Sequence, residues 1–81
     1  MEYKLSQHAK TVMVARSIKK EWIERTIKNP SLTVEKSSNE INFFSTIEEN
    51  ENRCLKVVIN PITMIIVTLY FDRNMRKKGC K

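Results

Sequence analysis

The chain is poor in several residues that mark common classes of protein. Its 81 residues include one glycine, Gly79, and one histidine, His8. A single glycine cannot form the glycine-rich loop with which P-loop and dinucleotide-binding proteins hold phosphates, so these cofactor-dependent enzymes are excluded. No apolar run is long enough for a membrane-spanning helix, and the first ten residues lack the apolar stretch of a secretory signal.

Cysteine is also scarce, since Cys54 and Cys80 are the only two. Small secreted domains usually carry about four to eight cysteines in a disulfide framework. We therefore expect both to be reduced thiols in a cytoplasmic protein. Neither belongs to a Cys-x-x-Cys pair and His8 has no cysteine near it in sequence, so we expect no metal site and no cofactor.

Positive charge is plentiful but unevenly distributed. The chain has 15 Lys and Arg against 9 Asp and Glu, a formal net charge of +6. Residues 1–28 carry +4, residues 29–52 carry −4 and residues 53–81 carry +6. A basic surface concentrates polyanions such as RNA and speeds their encounter with the protein. An ordinary solvated surface is the alternative, and small proteins often carry a net charge of this size.

Two helices are predicted in the N-terminal third, after a short strand or extended lead-in at residues 2–5. Ser6 is a good N-cap for a helix that continues to Arg16, and Ser17 breaks the pattern. Leu5, Ala9 and Met13 define its apolar face, and Arg16 projects near the middle of that face. A second helix follows and stops at Pro30, which cannot continue it.

Strand-like periodicity follows Pro30, over residues 31–36, 41–48, 53–60 and 63–73. Short turns between these segments favour an antiparallel meander. In the last strand, Ile65, Val67, Leu69 and Phe71 are expected to face the helices. The sequence thus predicts one α+β domain over residues 1–81, with two N-terminal helices packed on one face of a three- to four-stranded antiparallel sheet. The other face would be open, and a basic tail from about residue 74 would be frayed.

Four side chains are candidates for chemistry. Arg16, on the inner side of a short helix, would need either a structural ion pair, for example with Asp72, or a phosphate-binding role at a cleft. His8 is the only side chain whose ordinary pKa suits proton transfer near neutral pH, although it is equally compatible with packing or capping. Tyr70 and Asp72 share a strand face and would supply a proton donor and acceptor, or hydrogen-bond across the sheet.

A candidate nucleic-acid surface lies on the last two strands and the tail. Lys56 shares a strand face with Cys54, opposite the apolar face of that strand. With that face open, the sheet would hold an RNA backbone through four basic side chains: Arg53, Lys56, Arg73 and Arg76.

Several segments together resemble a prokaryotic family of unknown function. They are YKLSQHA at 3–9, EWIERTIKNP at 21–30, LKVVINP at 55–61 and IVTLYFDR at 66–73, together with Met13, Arg16 and Ile18. The family pattern is an HA-xxx-M-xx-R-x-I opening, a WIE helix ending at NP, and a final VTxY strand. Such domains look like relatives of the RelE, ParE and BrnT toxins, within the barnase–EndoU–colicin–RelE-like group of small α+β folds.

The resemblance implies the toxin of a toxin–antitoxin module, acting on RNA as a metal-independent endoribonuclease by attack of the ribose 2′-OH. It implies His8, Arg16 and Tyr70 as catalytic residues, with Arg73 as a further site residue, and a small antitoxin protein as partner. Val12 departs from the pattern, because many relatives have arginine there. Two alternatives therefore stay open: a non-catalytic module that binds RNA or protein, and a ParE-like toxin with a protein target.

Overall fold

The chain folds into a five-stranded sheet with three helices, in a computed structural model that describes residues 2–77 and Cys80. The elements are β1 (Lys4–Leu5), α1 (Gln7–Ala15), α2 (Lys20–Lys28), β2 (Leu32–Ser37), β3 (Glu40–Ile47), β4 (Arg53–Asn60), β5 (Ile65–Phe71) and α3 (Arg73–Lys77). A 3-10 turn at Glu48–Asn50 joins β3 to β4. The predicted α+β class is confirmed. No helix in the described part of the chain is long and apolar enough to cross a membrane.

Local sequence explains where α1 begins and ends. Ser6 is its N-cap, and the Ser6 hydroxyl accepts a hydrogen bond from the Ala9 amide at 3.0 Å. The same hydroxyl donates to the carbonyl of Val67 at 2.9 Å, which ties the helix start to β5. Arg16 is the C-cap, and the chain then reverses through Ser17, whose φ of 53° is left-handed.

The sheet contains one strand more than the sequence predicted. Its order is β1-β5-β4-β3-β2, and β2 to β5 form the expected antiparallel meander. The additional strand β1 pairs with β5 in parallel, with Lys4 opposite Ile65. Two residues alone carry little periodicity, so this pairing depends on β5 rather than on a signal in β1 itself.

One face of the sheet, here called the inner face, packs against α1 and α2. The main core cluster lies between these layers and consists of Ala9, Ile18, Trp22, Ile23, Ile47, Leu55, Val57, Ile59, Ile66 and Leu69. Thr26 is fully buried in α2, where its hydroxyl donates to the carbonyl of Trp22 at 2.8 Å, so burial leaves no unpaired donor.

An irregularity in β5 overturns one expectation about its faces. Val58 pairs with Thr68 but the next residue, Ile59, pairs with Ile66, so Val67 is an extra residue. Such a bulge interrupts the alternation of side chains. The fully buried residues are therefore Ile66 and Leu69, whereas Ile65 and Val67 are 36% and 44% exposed. The prediction that Ile65 and Val67 face the helices was wrong for this reason.

The opposite face of the sheet, here called the outer face, is partly covered. Residues 73–77 form α3 rather than a frayed tail, and α3 packs against β4. Cys54 and Cys80 form a disulfide across a Cα–Cα distance of 5.8 Å, so the expectation of reduced thiols was wrong. A second apolar cluster surrounds this bond and contains Phe44, Leu32, Val34 and Met75. The outer face is thus open only in part, because α3 turns back over it.

Candidate nucleic-acid interface

Arginines from three separate elements line one cleft. The cleft has a volume of about 1040 Å³. Arg16 comes from the end of α1, Arg53 from the start of β4 and Arg73 from the start of α3. The other lining residues are Asn50, Cys54, Tyr70, Phe71 and Asp72. Three guanidinium groups and one carboxylate leave the cleft with a net positive charge, which favours an anionic ligand.

Arg16 reaches the cleft because it caps α1. Its backbone amide donates to the carbonyl of Val12 at 2.9 Å, and the residue is exposed rather than turned to the inner side. Among the described residues it has no ion-pair partner. Asp72, the partner that the sequence allowed, instead accepts a hydrogen bond from the Met75 amide at 3.0 Å and so caps α3. The structure therefore does not contain the Arg16–Asp72 ion pair.

Arg53 and Arg73 differ in how firmly they are held. The Arg53 guanidinium lies 3.4 Å from a carboxylate oxygen of Glu51, and both side chains are about half exposed or more. Exposed pairs of this kind contribute little and exchange readily with solvent or ligand. Arg73 forms no ion pair within the described part of the chain. Both guanidinium groups are therefore available to a ligand.

Lys56 contacts Tyr70 instead of lining the cleft. Its Nζ donates to the Tyr70 Oη at 3.0 Å and lies 5.3 Å from the centroid of the same ring. The Phe44 ring centroid is 5.8 Å away on the outer face. Because the Tyr70 oxygen accepts from an ammonium group, its own hydrogen remains to be donated into the cleft. Lys56 was predicted to bind nucleic acid directly, and the structure places it behind Tyr70.

His8 lies outside the set of described residues that line the cleft. Its Nε2 is 3.1 Å from the Thr68 hydroxyl, and the side chain is exposed. Thr68 and Tyr70 flank the buried Leu69 and so share the outer face, about 7 Å apart along the strand. The structure therefore brings Arg16, Arg53, Tyr70 and Arg73 together but sets His8 further along β5. Val12 is half-buried in α1.

One predicted site residue has a side chain outside the described structure, and some residues that line the cleft were not predicted. The side chain of Arg76 falls outside the described part of the structure, although its backbone belongs to α3. Asn50 and Phe71 line the cleft, and no pattern in the sequence pointed to Asn50, which belongs to a polar turn. Within the described residues no group of three His, Cys, Asp or Glu side chains is placed to hold a metal ion.

An ion pair fixes the turn that presents Asn50. The Arg25 guanidinium donates to both carboxylate oxygens of Glu49, at 3.0 and 2.7 Å. These hydrogen bonds lower the pKa of Glu49 to about 2. Because Arg25 belongs to α2 and Glu49 to the 3-10 turn, the pair attaches the wall of the cleft to the helical layer.

The fold and the cleft define a small α+β domain with a cationic surface site. The chain belongs to the family of domains of unknown function DUF4258, which matches residues 5–71. Of the cleft arginines, Arg16 and Arg53 lie within the matched range, whereas Arg73 lies just beyond it. No curated protein and no solved structure matches the chain.

Proposed function

We propose that the protein binds single-stranded RNA in this cleft and cleaves it without a metal ion, as a toxin of the RelE-like kind. The observation that carries the proposal is the convergence of Arg16, Arg53 and Arg73 on one cleft that also contains Tyr70. Guanidinium groups are planar donors that match phosphate oxygens, so three of them favour a phosphodiester backbone. Because the proposed substrate is RNA in the cytoplasm, we propose that the protein acts there.

The cleft contains the groups that such a cleavage requires. The ribose 2′-oxygen attacks phosphorus to form a cyclic phosphate, and the bond to the 5′-oxygen breaks. The carboxylate of Asp72 accepts the 2′-OH proton, and Tyr70 donates its hydroxyl proton to the departing 5′-oxygen. The arginines stabilise the negative charge that accumulates on the phosphorane-like transition state. Tyr70 suits the donor role better than His8, because Tyr70 lines the cleft and His8 does not.

A small protein that covers the cleft is the proposed regulator of this activity. An acidic or amphipathic segment of an antitoxin would complement the net positive charge of the cleft and the uncovered part of the outer face. The exposed apolar side chains of Ile65 and Val67 on β5 offer apolar contact area and support a partner of mixed character.

The test is cleavage of a single-stranded RNA by purified protein in the presence of EDTA. We expect cyclic-phosphate products from the wild type, with a loss of about a hundredfold or more in rate for Tyr70→Phe. Lys36→Ala is the matched control, because Lys36 is an exposed cation of β2 that does not line the cleft. Absence of cleavage, or a rate that Tyr70→Phe leaves unchanged, would contradict the catalytic proposal.

Binding without cleavage is the second candidate. It is favoured by the position of His8, the only imidazole of the chain, outside the cleft lining. Intact RNA bands combined with salt-dependent binding would identify this function, with a slope of log K against log salt of about −0.7 for each phosphate contact. Growth arrest on expression without RNA binding would instead point to a protein target.

A further inference from the structure

The Cys54–Cys80 disulfide lies at the wall of the cleft. Cys54 itself lines the cleft and follows Arg53 directly in β4. Cys80 lies beyond α3, the helix whose first residue is Arg73. The bond therefore connects the strand that carries one cleft arginine to the segment that carries another.

We propose that this disulfide is a redox clamp. It holds α3 and Arg73 in position at the cleft, and its reduction releases α3 and weakens the binding of RNA. This inference rests on the RNA binding proposed above. It adds that the redox state of the surroundings controls how strongly the cleft binds RNA.

The clamp matters because α3 is too short to persist alone. Five residues form little more than one helical turn, and isolated helices of this length are not stable in water. Among the described residues, three non-covalent contacts hold α3: the Asp72 cap, the packing of Met75 and the hydrogen bond from the Cys80 amide to the Met75 carbonyl at 2.8 Å. Of the three buried residues in the second cluster, two are the bonded cysteines. Reduction thus removes the covalent link on which the other contacts depend.

The reductant is a small thiol or a dithiol protein. Its thiolate attacks one sulfur and forms a mixed disulfide, and a second thiol then displaces the protein. The products are the Cys54 thiol, the Cys80 thiol and one oxidised disulfide of the reductant, so two electrons enter the protein. Cys54 is 0% and Cys80 is 1% exposed, so attack requires α3 to lift from the sheet. Brief local openings occur while the bond is intact and give a reductant its access, and breaking the bond increases the population of the open state.

The first test needs no RNA. Amide hydrogen exchange is measured at Met75 and Cys80 in the oxidised protein and after reduction, with intact mass confirming two free thiols. We expect exchange at both amides to accelerate at least about tenfold, because their acceptors belong to the clamped segment. Exchange at Val57, in the centre of the main core, reports global unfolding and is the internal control: in the reduced protein Met75 and Cys80 should exchange far faster than Val57, which separates local release of α3 from unfolding of the domain. Equal exchange at Met75 and Cys80 in the two states would overturn the clamp whether or not the protein binds RNA.

The second test connects the clamp to binding. The dissociation constant of a short single-stranded RNA should rise about tenfold on reduction, as expected for the loss of one charged hydrogen-bonding contact. Cys80→Ser should bind like the reduced wild type and ignore the reductant, with far-UV circular dichroism confirming that it is folded.

Arg73→Ala separates the clamp from a general loss of structure. It should weaken binding by oxidised protein by a similar factor and should then show no further loss on reduction. Arg16→Ala is the matched control, since it should weaken binding but keep the redox response. A full redox response in Arg73→Ala would overturn the proposal. Absence of RNA binding by the oxidised wild type would refute the proposed function, while the exchange measurement would still decide on the clamp.

Discussion

The arginines of this protein differ in what lies beside them. Arg25 is held by two hydrogen bonds to Glu49, whereas Arg16 has no carboxylate partner among the described residues. We expect Arg16→Ala to raise the dissociation constant for single-stranded RNA about tenfold and Lys36→Ala, which removes an exposed cation outside the cleft, to change it by less than about threefold. Fluorescence anisotropy at one fixed salt concentration measures both. Equal losses in the two variants would show that binding follows net charge rather than the cleft.

The pair between Arg25 and Glu49 predicts a pH dependence of stability. The folded-state pKa of Glu49 is about 2, below its ordinary value of 4.5. A lowered carboxyl pKa stabilises the fold above the ordinary value, and this contribution is lost as pH falls toward the folded value. Urea unfolding should therefore show wild type more stable than Glu49→Gln at pH 7, with the difference shrinking between about pH 4.5 and pH 2. A difference that stays constant down to pH 2 would contradict the ion pair.

Lys56 and Tyr70 should act as one unit. Because the Lys56 ammonium is engaged by the Tyr70 oxygen, Lys56→Met should change the dissociation constant for RNA by less than about threefold but slow cleavage about tenfold. In the Tyr70→Phe background the same substitution should have no further effect on the rate. Losses that multiply independently in the double variant would show that Lys56 acts on the RNA directly.

Sequence reasoning identified residue types better than it identified their neighbours. Arg16, Arg53, Tyr70 and Arg73 were named from charge, helix position and resemblance, and they meet in the cleft. The engagement of Lys56 depends on the pairing of β4 with β5, which places it opposite Tyr70. That register is a property of the folded sheet, so no local pattern around Lys56 could indicate it.

At the scale of elements, Ser6 joins α1 to β5. Its hydroxyl caps the helix and donates to the carbonyl of Val67, the extra residue of the bulge. Ser6→Ala should lower the free energy of unfolding by about 1–2 kcal/mol, since the cap and one further hydrogen bond are lost. Ser6→Asp should lose less, because a carboxylate can still accept from the Ala9 amide. Thr11→Ala is the control, an exposed hydroxyl bonded within the helix, and should cost less than about 0.5 kcal/mol. Urea denaturation measures all three, and an equal cost for Ser6→Ala and Thr11→Ala would contradict the role of the cap.

The elements that the sequence predicted depend on nearby residues, whereas those that it missed depend on residues far along the chain. Both N-terminal helices and the meander follow from nearby residues such as Ser6 and Pro30, so the sequence indicated them. The bulge at Val67, the pairing of β1 with β5 and the helix α3 each require a partner far along the chain. Periodicity describes one segment at a time and therefore could not locate them.

At the scale of the whole molecule, the disulfide should be a large contribution to stability. It closes a loop across 26 residues of sequence separation. A bond of this kind stabilises a protein by about 2–4 kcal/mol. In the chain-entropy account, most of this comes from restricting the conformations of the unfolded chain. Reduction should lower the urea midpoint of the wild type correspondingly, while Cys80→Ser should start at the lower midpoint and not respond to reductant. A wild-type midpoint that ignores reductant, with two free thiols confirmed, would contradict this assignment.

The whole molecule also explains the segregation of charge along the sequence. The basic N-terminal third supplies Arg16, and the basic C-terminal third supplies Arg53 and Arg73. The acidic middle lies partly in the turn between β3 and β4, where Glu49 and Glu51 pair with arginines. The sequence therefore predicted the positive charge of the site, whereas the meeting of its two ends became visible only in the fold.

The pairing of β1 with β5 has a consequence for the order of assembly during synthesis. Lys4 is paired with Ile65, so the N-terminal segment has no docking strand until residues 61 positions later have been made. Contacts this distant in sequence form slowly and late. A nascent chain on the ribosome thus carries Arg16 without Arg73, and the cationic site is assembled only after β5 and α3 have emerged. With the activity on RNA proposed above, the protein would in this way be synthesised next to abundant RNA before its own site exists.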